Sequence, residues 1–209
     1  MQAHEAEKIR AFVSTQLSAS RMAHTERVLS MAMEMADAFD SAVFPIDRTA
    51  LAVSSLYHDR AKEMPLDGQI ALLSLHDTQK RASLAMQFGA VAHGYTAACL
   101  LSLEFPDLAT ETAIEAIRYH TTGRPNMTPT ELVLFLADYA EEGRIPLPCV
   151  RARTLLREAY GKADAQHRLY EITTFVLQET VDYLTAKKRD IHPDTQRALA
   201  YYMTKIAKA

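Results

Sequence analysis

Two dipeptides in this chain pair an imidazole with a carboxylate, His58-Asp59 and His76-Asp77. The first closes an apolar stretch carrying Leu51, Val53 and Leu56. A helix ending there holds two ligating side chains at its tip. Consecutive helical residues point about 100° apart. Both can therefore touch one cation only if it lies close to the helix and other helices complete its surroundings. Imidazole with carboxylate suits iron, manganese, zinc or a similar ion. His76-Asp77 lacks that setting and reads as an ordinary polar loop pair.

Four further residues have types and positions that suit the same chemistry. His24 lies on the first long helical stretch, and Asp138 follows the apolar run Leu132-Val133-Leu134-Phe135-Leu136-Ala137. Both sit among core-forming residues, where an unpartnered polar group costs free energy. A buried metal satisfies them; so does an ordinary hydrogen-bond partner within the protein. His93 and His120 stand at helix edges. Either suits a second metal or a phosphate, and either is also compatible with a surface histidine or one that supports a ligand from behind.

The elements that must position these residues are all helical. Residues 4–17 read as an opening helix. Residues 21–39 carry Val28, Leu29, Ala32, Met35, Ala36 and Phe39 at helical spacing. Pro45 breaks the chain, and Asp47 caps a helix that ends near His58 and Asp59. Turn residues at Met64-Pro65-Leu66-Asp67-Gly68 make 63–91 harder to read, with short helical pieces expected. Helices follow over 92–104 and from Asp107 to about Tyr119, then a loop over 121–127. Thr128-Pro129-Thr130-Glu131 is a helix start with a capping box. Helices over 148–160, 164–186 and 195–207 complete the chain, the last preceded by a turn at 190–194. No segment alternates with period two long enough for a strand. The expected fold is all-α, a helical bundle in one domain over 1–209.

Composition agrees. The 209 residues include only 6 Gly and 8 Pro, and 48% are hydrophobic. That length can bury a substantial core without disulfides. A formal net charge of −3 offers no global basic field for nucleic acid. The two cysteines, Cys99 and Cys149, form no CxxC pair, which fits a reducing compartment and argues against a thiolate zinc site. No apolar run approaches the ~20 residues of a membrane span, and a cytoplasmic location is expected. A homodimer is left open by these patterns.

The order His24, His58-Asp59, His93, His120, Asp138 resembles that of the HD superfamily of metal-dependent phosphohydrolases. More narrowly, the segments RMAHT, HDRAKE, AHG, AIRYHTTGRPNMT, FLADYAEEGR and IHPDT resemble the YqeK-type symmetrical bis(5′-nucleosyl)-tetraphosphatases, over about 20–195. The resemblance implies an HD core at about 20–140, with helices over 148–207 completing a nucleotide pocket. It implies cleavage of diadenosine tetraphosphate into two ADP, with iron or a similar ion, one or two in number. The implied metal ligands are His24, His58, Asp59 and Asp138, with His93 and His120 available to a second ion. Implied nucleotide contacts are Arg21, His93, His120, Thr121, Arg144 and the turn Asp190, Ile191, His192, Pro193, Asp194 and Thr195.

Chemistry fits those roles. A metal ion supplies hydroxide near neutral pH and polarises a phosphoryl oxygen. Asp59 is expected to orient the hydroxide or to bridge two ions, while Arg21, Lys62 and Arg144 spread developing charge. Arg124 is a weaker candidate, because a loop arginine is usually solvated. His192 reads equally as a base or ribose contact and as a plain turn residue. The chain departs from the resemblance at Tyr95 and Thr96 after the third histidine, at Glu142, where a proline is family-like, and at Arg60. These departures leave room for another phosphoester substrate or for a nucleotide-binding module without turnover.

Overall fold

Helix starts along this chain are written in side chains that accept from the first free backbone N–H groups. Ser18 accepts from the Arg21 amide at the start of α2 (Ala19–Ala38), which follows α1 (Ala3–Ser14). Ser18 also donates through its hydroxyl and its amide to Glu63, at 2.6 and 2.7 Å, which ties the start of α2 to the turn beyond His58-Asp59. Asp47 accepts from the Ala50 amide and opens α3 (Arg48–Tyr57). Thr128 and Glu131 form the expected reciprocal box at the head of α8 (Pro129–Ala140). The computed structural model describes residues 3–39 and 44–207, and among these are eleven α-helices and no strand.

Between α3 and α8 the structure supplies what the sequence left unread. Residues 63–91 hold α4 (Leu66–His76), α5 (Gln79–Gln87) and a short 3-10 turn, Gly89–Val91, that leads into α6 (Ala92–Glu104). His76-Asp77 is therefore a helix end and not a loop pair. Asp77 caps α4 and holds Arg81 at 2.5 Å. The next helix does not begin at Asp107. Pro106–Leu108 is a 3-10 turn, and Thr110 caps α7 (Glu111–Tyr119) by accepting from the Ala113 amide. Pro106 cannot extend a helix from Phe105, the 3-10 turn takes up Asp107, and the Thr110 hydroxyl is the acceptor at the start of the next helix. The chain closes with α9 (Leu147–Ala159), α10 (Ala165–Ala186) and α11 (Pro193–Ile206).

Apolar residues collect in three clusters. The largest joins α2, α8, α9, α10 and α11 through residues such as Met35, Leu134, Leu156, Leu169 and Tyr202. A second joins α1, α3, α6 and α7 through Ile9, Leu56, Leu101 and Ile117. The third lies under α4, α5 and α6. Two helices are buried almost all round. Every residue from Ala50 to Tyr57 in α3 and from Thr130 to Ala137 in α8 is buried. A helix enclosed on every side places whatever polar group ends it inside the protein. His58-Asp59 and Asp138 stand at those two ends.

Candidate metal centre

Six side chains from five helices meet between the two main clusters. His24 comes from α2, His58 and Asp59 from the end of α3, His93 from α6, His120 from the cap of α7 and Asp138 from α8. His24 Nε2 lies 3.0 Å from Asp138 Oδ1 and 3.7 Å from Asp59 Oδ2. His58 Nε2 lies 3.7 Å from Asp59 Oδ2 and 4.0 Å from Asp138 Oδ1. The other Asp59 oxygen faces another pair: Oδ1 is 3.4 Å from His93 Nε2 and 3.8 Å from His120 Nε2. Two groups thus gather their ligand atoms within 4.8 Å, His24–His58–Asp59 and Asp59–His93–His120, and Asp59 belongs to both. The helix does not continue past His58. Tight turns over Asp59–Met64 follow, and the consecutive pair meets its partners close to the end of α3, as two side chains about 100° apart require.

The ring orientations have local causes. His58 Nδ1 donates to Ser55 O at 2.8 Å, and His120 Nδ1 donates to Ile117 O at 2.7 Å. His24 Nδ1 donates to Glu141 Oε1 at 3.1 Å. Each bond places a proton on Nδ1 and turns Nε2 inward, where the neutral ring offers its lone pair. His24 Nε2 and His58 Nε2 are buried and make no hydrogen bond. Lone pairs here face carboxylate oxygens across gaps of 3–4 Å, an arrangement that costs free energy until a cation sits between them. Two imidazoles and two carboxylates fit a divalent transition metal well. Gly94 lets α6 approach closely enough: a Cβ there would stand 3.1 Å from Arg118 O and 3.3 Å from Ile117 O.

Cations ring the carboxylates. Arg21 donates to Asp59 Oδ2 at 2.9 Å, and Arg144 donates to Asp138 Oδ1 at 2.8 Å and to Asp138 O at 3.1 Å. Lys62 Nζ lies 3.1 Å from His93 Nε2 and 4.0 Å from Asp59 Oδ1. Burial opposes ionisation of Asp59, but His58, His93 and Lys62 outweigh it and hold the carboxyl well below its usual range. Burial likewise opposes charge on Asp138, and His24, His58 and Arg144 keep it ionised. Burial lowers the Lys62 ammonium. It also lowers His93 strongly, helped by Lys62 and His120, and pushes His120 down to about 4. His24 differs. Burial disfavours its charged form, yet Asp138, Glu141 and Asp59 raise its pKa.

A cavity of about 1170 Å³ opens above this cluster. Lys62, His120, Thr121, Asp138 and Arg144 line it, along with Val176, Thr180 and Tyr183 of α10. Thr121 Oγ1 bonds His120 Nε2 at 3.0 Å and His93 Nε2 at 3.3 Å. From the turn before α11, Asp190, His192 and Thr195 line the cavity, whereas Ile191, Pro193 and Asp194 do not. Arg21 and His93 lie outside the lining, against Asp59 and Lys62. His192 is more than a turn residue. It caps α11 by accepting from the Asp194 amide and meets the Tyr95 hydroxyl at 2.9 Å.

Several sequence expectations are revised by these contacts. Arg124 is not a solvated loop arginine: it donates to buried Glu131 at 2.6 and 2.8 Å and stacks over Tyr119. Tyr95 turns to His192, and the Thr96 hydroxyl donates to Ala92 O within α6. Glu142 faces outward, pairing with Arg157 and Arg153. Arg60 is buried away from the centre, bonded to Glu104 and stacked over Phe12. Sequence reasoning missed Glu141, which is 1% exposed and bonded to His24. Nothing in its spacing marks it, because its partner is 117 residues away.

An all-helical fold with this histidine and aspartate cluster is that of the HD domain, whose family model matches residues 21–143; the chain belongs to that family. Its relatives narrow the class. A symmetrical bis(5′-nucleosyl)-tetraphosphatase of Staphylococcus aureus is 28% identical over 94% of this chain and 93% of its own length. One of Bacillus subtilis is 29% identical over 90% of this chain and 92% of its own. A crystal structure from Clostridium acetobutylicum, described as a predicted HD superfamily hydrolase involved in NAD metabolism, shares the fold. Its TM-score is 0.78 at 22% identity, covering 95% of this chain and 97% of that one.

Proposed function

We propose that this chain is a metal-dependent hydrolase that cleaves dinucleoside tetraphosphates symmetrically, diadenosine tetraphosphate giving two ADP. The observation that carries the reading is the shared carboxylate of Asp59, set between two histidine pairs beneath a cavity lined by Lys62, Arg144, Asp138 and His120. The full-length similarity to two symmetrical tetraphosphatases supports the substrate.

In this reading His24, His58, Asp59 and Asp138 hold one ion, iron by preference, and Asp59, His93 and His120 hold a second. Bound there, a divalent cation lowers the pKa of a water and polarises a phosphoryl oxygen. The residues do the rest. One water is consumed, the bridging P–O bond between the second and third phosphates breaks, and a new P–O bond completes the second diphosphate. Asp59 orients the attacking oxygen. Lys62, Arg144 and Arg21 offset charge that builds on the transferring group, and charges already in place before reaction need little reorganisation to do so. Thr121, Asp190, His192 and Thr195 position the nucleotide along the cavity wall.

We read the chain as one domain over 1–209, the HD core at 20–140 and the helices over 148–207 closing the pocket. The α10 residues in the cavity wall support this. No single described helix is long and apolar enough to cross a membrane, which suits a cytoplasmic enzyme; nucleic acid is not among the proposed partners. The test is to incubate protein loaded with iron(II) or manganese(II) with diadenosine tetraphosphate and separate the products. ADP alone supports the proposal. ATP with AMP, or no turnover, overturns it.

A further inference from the structure

Three histidines of the centre have fixed Nδ1 atoms, and they are not held alike. His58 and His120 donate to neutral backbone carbonyls, whereas His24 donates to a carboxylate, Glu141 Oε1 at 3.1 Å. That carboxylate is itself built in. Glu141 is 1% exposed, and its Oε2 accepts from Arg27 Nε and from the Gly143 amide, both at 2.5 Å. Arg153 donates to Ala140 O and Glu141 O and pins the backbone that carries it. Position 143 has no room for a side chain while Arg27 reaches Glu141, because a Cβ there would fall 2.5 Å from Arg27 Nε.

A buried carboxylate with three donors is satisfied, and its ionised form is favoured by them. An acceptor of full negative charge on Nδ1–H fixes the tautomer, orients the ring and raises the electron density at Nε2. His24 Nε2 is the atom 3.0 Å from Asp138 and without a hydrogen bond.

We propose that Glu141 is the positioning residue for His24, and that Arg27 and Gly143 form an outer clamp that keeps Glu141 in place. His24 is then the most strongly donating imidazole of the centre, and the clamp tunes how tightly its ion is held. The proposal rests on reading the cluster as a metal centre.

Cobalt(II) tests it without substrate. Metal is stripped, cobalt(II) affinity is measured by competition with a chromophoric chelator, and the visible d–d absorption is recorded. Glu141→Gln keeps an acceptor oxygen and loses the charge. It is expected to weaken one cobalt site 10–100-fold and to shift its absorption. Arg27→Ala, at a side chain 40% exposed, is expected to fold and to weaken the same site by a smaller factor. Added to Glu141→Gln, Arg27→Ala should cost no more, since it acts through Glu141. Arg157→Ala, which removes the neighbouring surface pairs with Glu34 and Glu142, should leave affinity unchanged. Glu141→Gln protein with wild-type affinity and spectrum overturns the proposal, and so does an additive loss in the double variant. Wild-type protein that binds no cobalt(II) overturns the metal-centre reading itself, a separate and recognisable result.

Discussion

Replacing Asp59 by Asn keeps the shape of the side chain and removes its charge from the middle of the centre. Its two oxygens each serve a different histidine pair, at 3.7 Å on one side and at 3.4 and 3.8 Å on the other. An amide offers one neutral oxygen, and its NH2 donates, so at least one pair loses its carboxylate partner outright. Removing one preorganised electrostatic contact from an active site costs about 3–4 kcal/mol in the transition state. At 1.36 kcal/mol per decade, kcat should fall about 150- to 900-fold. The metal-free fold is expected to lose some stability, because the groups that hold Asp59 ionised lose their partner, although Arg21, 30% exposed, can turn to water. The assay pairs atomic-absorption metal content with kcat on diadenosine tetraphosphate, and thermal unfolding of the metal-free protein serves as the control. Full metal content with kcat within tenfold of wild type would refute the role given to Asp59.

Gly94→Ala sets a methyl 3.1 Å from Arg118 O and 3.3 Å from Ile117 O, backbone atoms of α7 that cannot yield cheaply. A loss of about 1–3 kcal/mol is expected, with Tm down roughly 2–4 °C per kcal/mol and kcat down as His93 and His120 separate; unchanged Tm and kcat would contradict the close approach. Thr128→Ala removes the acceptor for the Glu131 amide and should cost about 1 kcal/mol with KM unchanged, measured by urea unfolding and steady-state kinetics. Metal-free protein should lose stability on acidification from pH 7 toward pH 4. His120 is pushed down to about 4 by burial and His93 is also lowered, so the unfolded chain takes up protons first below its ordinary value near 6.5. The His120 share is roughly 3 kcal/mol at full extent. His24, raised by Asp138, Glu141 and Asp59 against burial, works the other way and offsets part of it. A Tm of the stripped protein that rises steadily over that range would contradict the assignment.

Local signals in the sequence were written where a residue and its partner lie within one turn. The Thr128–Glu131 box, the Asp47 cap and the apolar runs before His58 and Asp138 are of this kind. The segment 63–91 resisted because α4 has no apolar stripe to detect. Leu66, Ile70, Leu72, Leu73 and Leu75 surround it, and Leu75 is left 76% exposed. Asp107 reads as a helix start, yet it falls in the 3-10 turn Pro106–Leu108 and Thr110 caps α7.

Capping and periodicity act over three or four residues, so the sequence determined the helical class and most helix starts; the six central side chains were marked by residue type and by an order that resembles the HD superfamily. Tertiary structure alone decided that the two Asp59 oxygens face different histidine pairs, that Arg124 serves Glu131 and that Glu141 stands behind His24. Those relations join different helices or a loop to a helix. The packing of α2, α3, α6, α7 and α8 through the apolar clusters sets the distances, and no short-range pattern in the chain encodes them.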